Sequence, residues 1–258
     1  MTGPARGNQV PAAVRAGLRA VLCDADGNLF PSEEPAFAAS AGVTNRMLAA
    51  AGRSGRFTGE ELRQATTGLN FRTTAQDLID RLGLPMPDLE RWVEEEKRVV
   101  TAHLSRTLVP DPQVLGPLTT LAGRYRLAAV SSSALSRLDA CFRATGLDTL
   151  IGPEVRFSAE DSLPAPAGKP DPAVYRHACE QLGIAPAAGL AVEDSVAGVR
   201  SAVAAGCPTI GNVTFVPPAE RSRRAAELRE AGVLAIVPSW SRLADLLAPA
   251  AVVTGGPR

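Results

Sequence analysis

The chain has 258 residues, 45% hydrophobic and 21% charged, enough for one large core or a core with a smaller companion domain. Its 27 Lys+Arg balance 27 Asp+Glu, so net charge gives no pull towards nucleic acid or an anionic membrane. The cysteines Cys23, Cys141, Cys179 and Cys207 form no Cys-x-x-Cys pair, and no apolar run reaches the roughly 20 residues of a membrane span.

Residues 1–16 are rich in Gly, Pro and Ala and carry no signal-peptide core, so they read as a flexible arm of a protein in the reducing cytoplasm. Leu18–Cys23 (LRAVLC) reads as a buried strand that runs into the acidic turn Asp24-Ala25-Asp26-Gly27. From Pro31 to Arg106 apolar residues recur every three or four positions in four segments, which predicts a small helical bundle, with Thr74 a cap-like residue ahead of one helix.

After Pro110 the rhythm alternates: helix DPQVLGPLTTLAG, strand RLAAVS, helix ALSRLDACFRATG, strand PEVRFSA, helix DPAVYRHACEQLG, strand GLAVED, helix SVAGVRSAVAAG and strand CPTIGNV, then a last helix-strand-helix passage. Strands separated by helices imply parallel β-α units. The expected fold is therefore α/β: a doubly wound, Rossmann-like parallel-sheet core over 17–30 and 107–250, with an inserted α-helical cap domain over 31–106 and a tail over 251–258.

In a parallel sheet all the strand carboxyl ends meet on one edge, and four chemically distinctive features sit at or after such ends. Asp24 and Asp26 can face one centre across a turn that Gly27 lets fold sharply; their repulsion calls for a metal or a cation, and an ordinary Asx turn is the alternative. Ser131 and Ser132 precede a helix, where a hydroxyl and free amides can cradle phosphate or a serine can simply cap. Lys169 in GKPDP is one of only two lysines, and Asp171 reads as the cap of the following helix. Glu193 and Asp194 end an apolar strand as hard oxygen ligands or as dipole-favoured acids, with Ser195 able to cap the next helix.

Taken together, Asp24-Ala25-Asp26-Gly27, Ser131, Lys169 in GKPDP and Glu193-Asp194 resemble the four motifs of the haloacid dehalogenase-like superfamily, in its branch with a helical cap inserted after the first motif. The resemblance implies Asp24 as nucleophile, Asp26 as general acid/base, Ser131 on the phosphoryl oxygens and Lys169 as a catalytic cation. It also implies Mg2+ held by Asp24, the Asp26 carbonyl and Asp194, with Glu193 in support. Ala25 and Asn28 depart from the usual pattern, bulkier at the first position and Thr or Val at the second.

The expected activity is hydrolysis of a small phosphomonoester, a sugar phosphate or a phosphoglycolate-like compound, through an aspartyl-phosphate. A phosphomutase of the β-phosphoglucomutase type and a non-catalytic binding protein are the alternatives; oligomeric state is not readable. Asp26 argues against a dehalogenase, whose halide leaves without a proton. Lys97 reads as a solvated partner of Glu94, Glu95 or Glu96 rather than a Schiff-base lysine. For the cap, Arg53, Arg56 and Arg72 and the polar break containing Asn70 are candidate substrate contacts.

Overall fold

Short strands that are apolar on both sides need cover on both faces. The computed structural model, which describes residues 10–66, 71–85 and 88–248, supplies it. Among the described residues one parallel sheet contains β1 (Ala20–Cys23), β2 (Arg126–Ser131), β3 (Arg156–Ser158), β4 (Gly189–Glu193), β5 (Thr209–Asn212) and β6 (Ala235–Val237), in the order β3-β2-β1-β4-β5-β6. Cys23 lies level with Ala129 of β2 and Val192 of β4, so these three strands end side by side.

Successive β1 side chains alternate between two cores, as strand geometry requires. Val21 and Cys23 pack with residues of α6 (Pro112–Ala122), α7 (Leu135–Thr145) and α11 (Trp240–Leu247); Ala20 and Leu22 pack with α8 (Ala173–Leu182) and α9 (Val196–Ala205). A further cluster joins α9, α10 (Arg221–Ala231) and β6.

Between β1 and β2 the chain inserts α2 (Glu33–Ala50), α3 (Gly59–Thr66), α4 (Phe71–Leu82) and α5 (Leu89–Thr107), a helical cap with its own core of Val43, Met47, Ala75, Leu78 and Trp92. Asp88 caps α5 by accepting from Arg91 N at 3.1 Å, and Asp111 caps α6 from Gln113 N at 2.8 Å. Helix α5 does not stop at the edge of the cap. Its Val100 and Leu104 already belong to the core beneath the sheet, so the boundary expected at 106 falls within one continuous helix. Two ion pairs also join cap to core: Lys97 Nζ to Glu160 at 2.5 Å and Arg63 Nη2 to Glu220 at 3.2 Å.

Two local expectations are corrected. Residues Ala12–Gly17 form helix α1 and Val10 is buried, where a flexible arm was expected; Arg15 Nη1 also donates to Leu246 O at 3.5 Å. Residues 1–9, like the tail 251–258, lie outside the described residues. Thr74 is buried inside α4 rather than capping it, because the helix begins at Phe71 and turns that position towards the cap core.

Trp240 closes the first core. Its ring is fully buried and its indole N–H donates to Asn28 O at 2.9 Å, tying the last helix to the loop after β1. Trp240→Ala should lower the free energy of unfolding in urea by about 3–5 kcal/mol; a loss below about 1 kcal/mol would show that α11 docks without this anchor.

Candidate active site

The sheet order reverses between β1 and β4, the place where an open α/β sheet leaves a crevice at its carboxyl edge. Asp24 follows β1 there and Glu193 ends β4, with Asp24 N donating to Val192 O at 3.0 Å. The turn after Asp24 is fastened by the buried side chain of Asn28. Its Nδ2 donates to Asp24 O at 2.8 Å and Val192 O at 3.1 Å, while its Oδ1 accepts from Asn212 at 2.8 Å. Gly27 has φ +74°, and a Cβ there would stand 2.6 Å from Asp194 Oδ2, so the turn and the acid share space that only glycine leaves free.

Lys169 reaches into this crevice from the loop before α8. Its Nζ lies 2.5 Å from Asp24 Oδ1, 2.6 Å from Glu193 Oε1 and 2.8 Å from Val130 O, which uses all three of its N–H bonds. Glu193 is itself fully buried and accepts a second bond from Tyr175 Oη at 2.5 Å, so it orients the ammonium as much as it neutralises it. Although burial works against its charge, Asp24 and Glu193 hold the Lys169 pKa above its usual value.

Asp24, Glu193 and Asp194 each present a carboxylate oxygen within 4.8 Å of the others, and all three are buried. One ammonium cannot balance three such charges. Burial first, and then the Glu193 charge against the relief from Lys169, pushes Asp24 up to about 8, and burial with Asp24 and Glu193 raises Asp194 well above the carboxylate range. A set of hard, buried oxygens with too little positive charge fits a divalent cation.

The Asp26 carboxylate is not part of that group. It turns towards the cap, where Ser32 Oγ donates to Oδ1 at 2.6 Å and Ser133 Oγ to Oδ2 at 2.7 Å. Burial alone would raise it, but Arg137 and these two hydroxyls together hold it below its usual value.

Of the serines after β2, Ser131 is buried and accepts from Ser133 N at 3.0 Å, and Ser132 accepts from Lys169 N at 3.3 Å. None of them caps α7: Leu135 N donates instead to Asp161 Oδ2 at 2.6 Å. Asp171 and Ser195 do bind the helix starts, accepting from Ala173 N at 2.8 Å and Gly198 N at 3.1 Å.

Of these groups, Asp26, Ser132, Ser133 and Lys169 line a cavity of about 730 Å³ between core and cap, with Asp24 reached through its bond to Lys169. Arg72 lines it but is bonded to Glu90 (2.6 Å to Oε2). Arg53 donates to Leu82 O at 2.9 Å and is exposed, as is Arg56, and neither lines the cavity. Asn70 lies outside the described residues. Lys97 does line the cavity, paired with Glu160 and, at 3.6 Å, with Glu94; the Glu160 hydrogen bond raises its pKa, the wrong direction for a Schiff-base amine.

Asn28, Ser32, Ser133, Arg137 and Tyr175 complete this site and were not singled out for it by sequence reasoning. Ser133 carried a signal as the third of three serines after a strand, and Asn28 as a departure from the usual first motif.

Comparisons with known proteins agree with this geometry. The model of the haloacid dehalogenase-like hydrolase family matches residues 18–206. The protein CbbY of Cereibacter sphaeroides is 30% identical over 209 residues, 77% of this chain and 85% of its own. A haloacid dehalogenase-like protein from Agrobacterium tumefaciens superposes with a TM-score of 0.68 at 26% identity, covering 89% of this chain and 97% of its own. A hydrolase of the same family from Deinococcus radiodurans, solved with bound phosphate and sodium, superposes with a TM-score of 0.65 at 28% identity, covering 91% of this chain and all of its own, 100%.

The raised carboxyls set a sign for stability against pH. Without metal the folded state keeps a proton on Asp24 that the unfolded chain releases near pH 3.8. That contribution is therefore fully present below pH 3.8 and is lost as pH rises towards 8. Asp26, with its lowered value, acts in the opposite sense but only at more acid pH. In chelator the unfolding midpoint should fall between about pH 5 and about pH 8, and a divalent cation should restore it at the upper end. No response to the cation at the upper pH would speak against its binding in this cluster.

Proposed function

Because the chain belongs to the haloacid dehalogenase-like hydrolases, we propose that it is a magnesium-dependent phosphatase of small phosphomonoesters working through a phosphorylated Asp24. The observation that carries this reading is Asp24 itself: a buried carboxylate at the reversal point of the sheet, fixed by Lys169 and crowded by Glu193 and Asp194. The Deinococcus radiodurans relative with bound phosphate supports the choice of a phosphoryl group.

In the first step Asp24 attacks phosphorus in line, forming the Asp24 Oδ–P bond as the P–O bond to the alkoxide breaks. The proton for that alkoxide arrives with the monoanionic ester, whose second ionisation lies near pH ~6, and passes through Asp26. In the second step Asp26 takes a proton from water, which attacks phosphorus, releases phosphate and regenerates Asp24. The ionised Asp26 suits this second step as it stands, since two hydroxyls and Arg137 favour its charged form.

Lys169 holds Asp24 and offsets the charge of the phosphoryl oxygens, which Ser131 and Ser132 receive. Asp24, Asp194 and the Asp26 carbonyl would hold Mg2+, with Glu193 behind them. When bound, the ion would supply the positive charge that three carboxylates and a phosphoryl group lack. The cap shuts bulk water out of the cavity and limits the leaving group to a small one, a sugar phosphate or a phosphoglycolate-like ester.

Phosphate release from a panel of small phosphomonoesters, with and without Mg2+, tests the assignment. Asp24→Asn should reduce release to background with the fold kept, and Asp26→Asn should lower kcat by about 10²–10⁴-fold. Full activity in Asp24→Asn would sink the proposal, and isomerisation of a sugar phosphate dependent on a bisphosphate, without net release, would make the protein a mutase.

A further inference from the structure

Four cations line the cavity, and three are already committed: Arg72 to Glu90, Lys97 to Glu160, and Lys169 to Asp24 and Glu193. The fourth is Arg137, and it differs. Its Nη2 lies 4.0 Å from Asp26 Oδ1, an ion-pair separation too long for a hydrogen bond. Both Asp26 oxygens are meanwhile occupied by the hydroxyls of Ser32 and Ser133. Among the described residues, Arg137 Nε is the one buried side-chain polar atom without a hydrogen-bond partner.

The place of Arg137 in the fold makes this more telling. It stands in the first turn of α7, where the positive end of the helix dipole disfavours a cation. A guanidinium brings five N–H donors and loses its charge at no ordinary pH, so leaving its Nε without an acceptor at a helix start, with only the 4.0 Å ion pair to Asp26 beside it, carries two costs at once. Both are offset if an anion enters the cavity beside it. Across the cavity Glu96 of α5 faces the same group, but its carboxyl is raised by burial, with Arg137 and a hydrogen bond from Ser40 only partly opposing this.

We propose that Arg137 is a specificity-determining residue that binds a second anionic group on the leaving-group side of the substrate. The inference rests on the phosphatase reading above and names a feature of its substrate. Asp26 must reach the ester oxygen and Arg137 is 4.0 Å from Asp26, so the second anion is close to that oxygen, within a few bonds. A carboxylate meets this requirement with the two-pronged geometry that a guanidinium matches best, and a second phosphate offers the same chemistry. The preferred substrates are thus phosphate esters of short hydroxy acids or short bisphosphates, in preference to neutral sugars or polyols.

The test compares matched esters that differ only in this group: 2-phosphoglycolate against 2-hydroxyethyl phosphate, with a short-chain bisphosphate as the third arm. The wild type should favour the doubly anionic esters in kcat/KM. Arg137→Gln should cut the ratio of kcat/KM for anionic over neutral ester by about 10- to 100-fold, the worth of a lost charge-assisted hydrogen bond. Arg137→Lys should recover part of that ratio. Comparison of the glycolate and bisphosphate arms tells which anion is read.

A merely positioning effect on Asp26 would lower turnover of all esters alike and leave the ratio unchanged, which overturns the proposal. Calorimetric binding of the same esters in an Asp24→Asn background separates the two levels of the argument. If no ester is hydrolysed yet Arg137→Gln weakens only the anionic ligands, the phosphatase reading fails and the anion site stands. If binding of both kinds falls equally or not at all, the anion site fails.

Discussion

A buried ammonium shared by two carboxylates organises this protein. Lys169 comes from a loop that is otherwise largely exposed, and its side chain is 6% exposed because Asp24, Glu193 and Val130 O take up its three N–H bonds. Charges withdrawn from water survive only with such partners, and removing one leaves the others stranded. The arrangement needs β2, β1 and β4 to end at the same level, since each contributes one of the contacts, so the register of the sheet and the position of the charge define each other. The same lysine leaves the site short of positive charge. The charge of Arg224 relieves Asp194 only in part, so its carboxyl stays raised and the cluster is able to take up a divalent cation.

Much of this was legible in the sequence because the fold class writes itself in periodicity. Six apolar strand segments separated by helical ones specify a parallel sheet with covered faces. A sheet of that kind gathers Asp24, Ser131, Glu193 and the loop of Lys169 onto one edge without further information. The helices of the insertion were equally visible from their three- and four-residue spacing.

What stayed hidden was partnership. Asn28 stands out in the sequence only as a departure from a motif until the structure shows it bonded to Asp24 O, Val192 O and Asn212 at once, and nothing local foretells that Tyr175 will donate to Glu193 from a neighbouring helix. The cap arginines show the converse. Arg53 and Arg56 were chosen for their neighbouring glycines, a local trait, whereas facing the cavity depends on how the cap is seated. Arg137 went unnoticed because an arginine on an amphipathic helix reads as surface; only its buried, unbonded Nε distinguishes it. The boundary between cap and core was likewise blurred by α5, whose apolar spacing continues unchanged from one into the other.

The bond from Trp240 to Asn28 O spans 212 residues, nearly the whole described chain. Asn28 in turn holds the turn that carries both aspartates, so the first strand and the last helix meet at the site. During synthesis Asp24 leaves the ribosome early, yet the bond from Trp240 to the turn that carries it cannot form until α11 has followed. A nascent chain would carry both aspartates long before their turn is anchored, and emergence of α11, rather than of any one motif, is the event that completes the site.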